Sequence, residues 1–351
     1  MAEAASSPPP AAAAAAVATV TSTYTLKLDS HTDGISGLYF NPNSSSASQL
    51  LVTSWDGGAT VYSTANLSSP LSKEVTSRIR FPHAAAVLCG AFTSSNGDRI
   101  VTGGVECAVR LFNLAALVDA NANRVLGTHD APVRCLTAAT GVNGLLSGSW
   151  DRSAKLWDDR SLACEVATIS LGERVFAQDV DGVLAVFGLG DGTVVGYDLR
   201  QLDSPVFARP STLGHQIRSL KLVEHGQAML IGSIEGRVAV ENISQKLAPK
   251  RYAFKCHRQD DWIFPVNAIA VPPSSSSSVF ATGGGDGTVC LWDSMLKKKL
   301  LQFPKLETSC SALAFSPHSS NLLAISQSYA FERGDVASPP PDQVLLCEFD
   351  M

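Results

Sequence analysis

Six short segments of this chain repeat one pattern: a run of β-forming residues, an acidic turn, and a second run. They read SWDGGATVY, GVECAVRLF, SWDRSAKLW, LGDGTVVGY, SIEGRVAVE and GGDGTVCLW. Their turn acids, Asp56, Glu106, Asp151, Asp191, Glu235 and Asp286, stand 50, 45, 40, 44 and 51 residues apart. A unit of that size cannot bury an apolar face by itself, so neighbouring units must stack on one another. With 45% hydrophobic and 17% charged residues, the chain has the apolar content to build that shared core.

A second spacing narrows the architecture. Six residues after the turn acid stands Tyr62, Phe112, Trp157, Tyr197 or Trp292, and four residues before it stands Thr102, Ser147 or Thr282. His31, His129, His215 and His257 each precede a first strand. These types suit a buried relay in which histidine bonds the turn carboxylate and a hydroxyl links it to an indole N–H. The pattern is complete in His129, Ser147, Asp151, Trp157 and in His257, Thr282, Asp286, Trp292. The period and this relay mark a WD-repeat β-propeller. CSALAF (310–315), LLAIS (322–326) and QVLLCEF (343–349) supply a seventh unit that lacks one strand. YTLKL (24–28) is spare, so the expected fold is all-β, seven-bladed and closed by an N-terminal strand.

The expected division is an Ala/Pro-rich disordered tail over 1–22 and the propeller over 23–351. The tail's alanine run follows Glu3 and three prolines with no Lys or Arg before it, which opposes a signal peptide. No apolar stretch reaches eighteen residues, so no membrane span is expected. A net charge of −5 gives no sign of direct nucleic-acid binding. The eight cysteines form no Cys-x-x-Cys pair and read as reduced core residues of an intracellular protein.

Catalytic chemistry is not expected. Ser, His and Asp recur at fixed repeat positions, where they tie loops to strands, and no Gly-x-Ser-x-Gly elbow is present. Cys256–His257 has no partner pair at metal-ligand spacing, and phosphate-binding loops are absent, so neither metal nor cofactor is expected. Trp157-Asp158-Asp159-Arg160 fits a Trp-Asp-x-Arg box, through which some propellers dock on the adaptor of cullin ubiquitin ligases; Trp157, Asp158 and Arg160 would carry that contact.

THDAPVRCL (128–136), GSWDRSAKLWD (148–158), SIEGRVAVE (233–241), YAFKCHR (252–258) and FPVNAIA (264–270) resemble the mitotic spindle checkpoint propellers of the Bub class. The Rae/Gle mRNA-export propellers are a sister family, and Val240-Glu241, Tyr252-Ala253, Pro265 and Ala268 lean toward the checkpoint branch. The resemblance implies a non-enzymatic scaffold of the nucleus, kinetochore and cytoplasm. Its implied partners are checkpoint kinases or pseudokinases with an acidic GLEBS motif, and a kinetochore scaffold bearing phosphothreonine in Met-Glu-Leu-Thr repeats. Carried onto this sequence, Arg237 and Lys255 match the phosphopeptide-reading positions, Trp55 and Trp150 the aromatic ones, and Arg218 a position for acidic peptides. Arg237 and Lys255 are expected at the ends of adjacent blades, 5 and 6, on one rim with the tryptophans.

Overall fold

The computed structural model describes residues 18–350 apart from 29–32, 43–48, 65–73, 76, 94–96, 115–122, 162–163, 245, 247–249, 274–277 and 332–333. His31 and most of the serine run at 274–278 lie outside the described residues, as does the tail up to residue 17.

Seven four-strand antiparallel units succeed one another in chain order. In each, alternating side chains of the middle strands are buried on both faces between neighbouring blades. Gln49–Ser54 and Ala228–Ser233, for example, have almost no exposed residue. The first strands line the central channel, and contacts between consecutive first strands hold the ring together.

The chain closes as the spare strand requires, although that strand starts earlier than the sequence suggests. Thr19–Leu26 pairs antiparallel with Gln343–Asp350 as the outer strand of blade 7. Residues 19–22, expected in the tail, therefore belong to the propeller. Their alternation of Thr, Val, Thr and Ser is itself β-forming. A fifth strand, Glu74–Val75, adds in parallel beside Thr25 and Leu26 and covers one end of that outer edge.

One backbone bond recurs in all seven blades. The first residue of the turn between the second and third strands donates its N–H to the carbonyl just before the first strand. The donors are Trp55, Val105, Trp150, Gly190, Ile234, Gly285 and Ser328. Their acceptors are Gly34, Ala86, Pro132, Arg174, Gln216, Pro265 and Ser309, at 2.9–3.2 Å. After the turn acid the chain enters the left-handed region, with φ from 61° to 85° at Gly57, Cys107, Arg152, Gly192, Gly236 and Gly287. Four of these six are glycine, as that conformation favours.

The buried relay forms as expected in blades 3 and 6. His129 Nδ1 lies 2.7 Å from Asp151 and Nε2 2.7 Å from Ser147, whose Oγ accepts the Trp157 indole N–H at 2.8 Å. His257, Asp286, Thr282 and Trp292 repeat it at 2.9–3.0 Å. Blade 2 holds a version that the spacing does not announce, in which His83 bonds Thr102 at 2.8 Å and Ala84 N–H donates to Glu106. His215 departs from the pattern: it pairs with Glu235 at 2.9 Å but stays half-exposed, with no hydroxyl relay among the described residues. In its place buried Glu241 accepts from the Thr212 N–H and hydroxyl, both at 2.8 Å.

Candidate functional site

Every first strand carries a β-bulge at its second residue. A bulge re-aims the side chain of the inserted residue. The seven positions hold Ser36, Leu88, Arg134, Phe176, Arg218, Asn267 and Ser311. All but Phe176 border a cavity of about 460 Å³ at the channel mouth, together with Trp55 and Trp150 from the turns of blades 1 and 3. Tyr329 and Phe331, from the Pro-rich loop of blade 7, form another part of the wall.

The cavity combines cations with aromatic surface. Among the described residues neither Arg134 nor Arg218 has an acidic partner. Burial, reinforced by the charge of Arg134, pushes the Arg218 guanidinium down to about 10, so it stays charged at neutral pH. Among the described residues the buried Trp150 indole N–H has no acceptor and Asn267 Oδ1 has no donor, while the Asn267 amide donates to Cys310 O at 3.0 Å. The Trp150 ring leans on Phe176 at 5.9 Å, and Trp55 is 51% exposed. Such a cavity can take a carboxylate between two guanidinium groups while apolar side chains rest on the rings.

Arg237 and Lys255 do not border this cavity. They face each other across the third and fourth strands of blade 5, Arg237–Asn242 and Lys250–Lys255, as directly opposed residues. The expectation of two adjacent blades is thereby corrected. The segment YAFK is the outer strand of blade 5 and precedes the entry into blade 6, because each repeat begins with the last strand of the blade before it. Arg237 Nε stands 3.9 Å from Glu235 and, among the described residues, makes no hydrogen bond; Arg258 Nη2 donates to the Glu235 carbonyl at 3.0 Å. Arg237 and His215 thus approach the Glu235 carboxylate, Arg258 holds its carbonyl, and Lys255 stands opposite Arg237, a local excess of positive charge suited to a dianionic ligand. The five residues singled out in the sequence divide into a cavity set (Trp55, Trp150, Arg218) and a rim pair (Arg237, Lys255). Arg134 joins the first set. Its parallel with Arg218, in PVRC and QIRS, is the available sequence signal.

The Trp-Asp-x-Arg box is built differently from a docking patch of three residues. Trp157 is fully buried in its relay, out of reach of a partner. Arg160 closes on Asp158 at 2.9 and 3.1 Å, and Arg200 closes on Asp198 in the same way in blade 4. Ser147 is equally inaccessible, which removes it as a nucleophile. Among the described residues, no group of three His, Cys, Asp or Glu could hold a metal ion.

The model of the WD domain, G-beta repeat, matches residues 21–63, 121–158 and 249–293. The chain is 36% identical to Mitotic checkpoint protein BUB3.1 of Arabidopsis thaliana, over 88% of each chain. It is 34% identical to Mitotic checkpoint protein bub3 of Dictyostelium discoideum, over 93% of this chain and 94% of that protein. It is 31% identical to mRNA export factor GLE2 of Chaetomium thermophilum, over 86% of this chain and 83% of that protein. Among solved structures, the WD40 repeats of RRP9 superpose with a TM-score of 0.77, covering 93% of this chain and 97% of that one. At 19% identity that likeness speaks for the fold alone.

Proposed function

We propose a peptide-reading role, without catalysis, for this chain, which belongs to the Bub3 family of WD-repeat mitotic checkpoint proteins. The carrying observation is the pair of un-neutralised guanidinium groups, Arg134 and Arg218, set among tryptophans at the channel mouth. In this reading the cavity takes the acidic core of a GLEBS-type motif from a checkpoint kinase or pseudokinase. The rim pair Arg237 and Lys255 takes the phosphothreonine of a Met-Glu-Leu-Thr-type repeat in a kinetochore scaffold. Arg237 can meet two phosphate oxygens at once, whereas Lys255 acts as a point charge. The chain would accordingly work in the nucleus and at kinetochores.

Titration of phosphorylated and unphosphorylated Met-Glu-Leu-Thr-type peptides tests the assignment. Wild type should prefer the phosphopeptide, and Arg237→Ala with Lys255→Ala should abolish that preference, at about 1.5–3 kcal/mol per lost charge-assisted contact. Trp150→Ala should weaken both peptides alike. A wild type indifferent to phosphate, or a double variant that keeps the preference, would remove the rim assignment.

A further inference from the structure

Three serines among the described residues precede a proline: Ser204, Ser316 and Ser338. Ser316 is buried. Ser204 is exposed in the turn between the third and fourth strands of blade 4, at the end of the blade away from the cavity. Ser338 is exposed in the loop joining the second and third strands of blade 7, whose first residues form the cavity wall.

We infer that Ser338 accepts phosphate from a proline-directed Ser/Thr kinase, and that the phosphate weakens acidic-peptide binding at the channel mouth. The regulatory half of this inference rests on the peptide-reading role proposed above. Pro339 disfavours helical backbone at Ser338, and the run Pro339-Pro340-Pro341 is itself stiff, so the acceptor is presented extended, with a ring and no N–H at the next position. That is the shape a proline-selecting kinase can read. The loop is held at both ends beside the cavity. Tyr329 Oη donates to Gly334 O at 2.7 Å, and Gln327 Nε2 donates to Pro341 O at 3.1 Å. Ser338 stands three residues from that second tether, within about 10 Å of it by chain reach.

In the transfer, the Ser338 hydroxyl oxygen bonds the γ-phosphorus of ATP. The bond to the β,γ-bridging oxygen breaks, ADP leaves, and the hydroxyl proton passes to the kinase's base. The product adds about 1.5 to 2 negative charges to a loop already carrying Asp335 and Asp342, beside Asp33 of the cavity wall. An acidic ligand approaching Arg134 and Arg218 passes the loop that carries this charge, and salt screens the resulting repulsion.

The test treats the full chain with ATP and a purified cyclin-dependent kinase, maps phosphate by mass spectrometry, and measures anisotropy of a fluorescent glutamate-rich decapeptide. Phosphate should appear at Ser338, vanish in Ser338→Ala and persist in Ser204→Ala. Affinity should fall about threefold to tenfold at low salt, with the difference shrinking as salt rises. Equal labelling of Ser338→Ala at other positions, with none on wild-type Ser338, overturns the acceptor assignment. Unchanged or tighter binding by the phosphorylated chain overturns the regulatory effect. If the unmodified chain does not bind the decapeptide, the peptide-reading role fails and takes the regulatory half with it, while the mass spectra decide the acceptor site.

Discussion

Arg134 occupies in blade 3 the bulge position that Arg218 occupies in blade 5, and both side chains border one cavity. Two like charges held this way disfavour the folded chain slightly and become favourable when an anion arrives. Arg134→Leu and Arg218→Leu are therefore expected to leave the melting temperature unchanged or raise it. Each should weaken binding of an acidic peptide by about 1.5–3 kcal/mol. Calorimetry of both variants, free and with peptide, checks the two signs together; a variant that melts lower and binds normally contradicts them.

The left-handed turn position separates glycine from the two residues that replace it. Cys107→Gly and Arg152→Gly should each stabilise by about 0.5–1 kcal/mol, relief of the steric cost outweighing the added freedom of the unfolded chain. Gly192→Ala should do the reverse, since its new Cβ would lie 2.9 Å from the His215 carbonyl oxygen. Urea denaturation of the three variants gives the comparison.

The relay imposes a pH dependence. Burial holds His83 and His129 below the ordinary imidazole value, despite the nearby carboxylates of Glu106 and Asp151. Burial alone would raise the Asp151 carboxyl, but bonds from Ser153 and His129 outweigh it and hold it low. His129 is thus neutral, donating through Nδ1–H to the carboxylate and accepting the Ser147 hydroxyl at Nε2. Between the folded and unfolded histidine values the unfolded chain binds more protons. This stability is present above about pH 6.5 and is lost as pH falls through the lower folded values. Urea midpoints should drop as pH falls below about 6.5, and His129→Gln should lower the midpoint while flattening the slope. A slope unchanged by the substitution would assign the dependence elsewhere.

Ring closure gives a length-specific outcome. A chain starting at residue 18 retains Thr19–Leu26, whereas one starting at residue 28 strips Gln343–Asp350 of its outer antiparallel partner, leaving it paired only with Ser319–Gln327, and removes buried Leu26. The longer truncation is expected to cost about 3 kcal/mol or more and to promote aggregation through the bared edge. Equal thermal stability of the two chains would mean that the last blade does not depend on this strand.

Blade number, the turn acids and two complete relays are legible in the sequence because each depends on residue type at a fixed offset. His83 is not: its turn acid is Glu106 and its aromatic partner Phe112 has no N–H, so blade 2 lacks the residue types that mark a relay. Arg134 is hard to find because a bulge leaves little trace in residue type, yet it decides toward which side the next side chain points. Spacing puts Lys255 one blade too far, because the outer strand of blade 5 lies directly before the first strand of blade 6 in the chain. The turn cations and tryptophans are visible in the sequence. Their division into cavity and rim depends on strand pairing, which spacing along the chain does not contain.

The bond repeated between each turn and the carbonyl before its first strand has a further consequence. It involves main-chain atoms only, so Trp55, Val105, Trp150, Gly190, Ile234, Gly285 and Ser328 hold equivalent places whatever side chain each carries. The ring thus behaves as seven exchangeable display posts on a fixed frame. A new ligand preference can arise by substitution at one post while the other six keep their geometry, and two propellers of identical backbone can select unrelated partners.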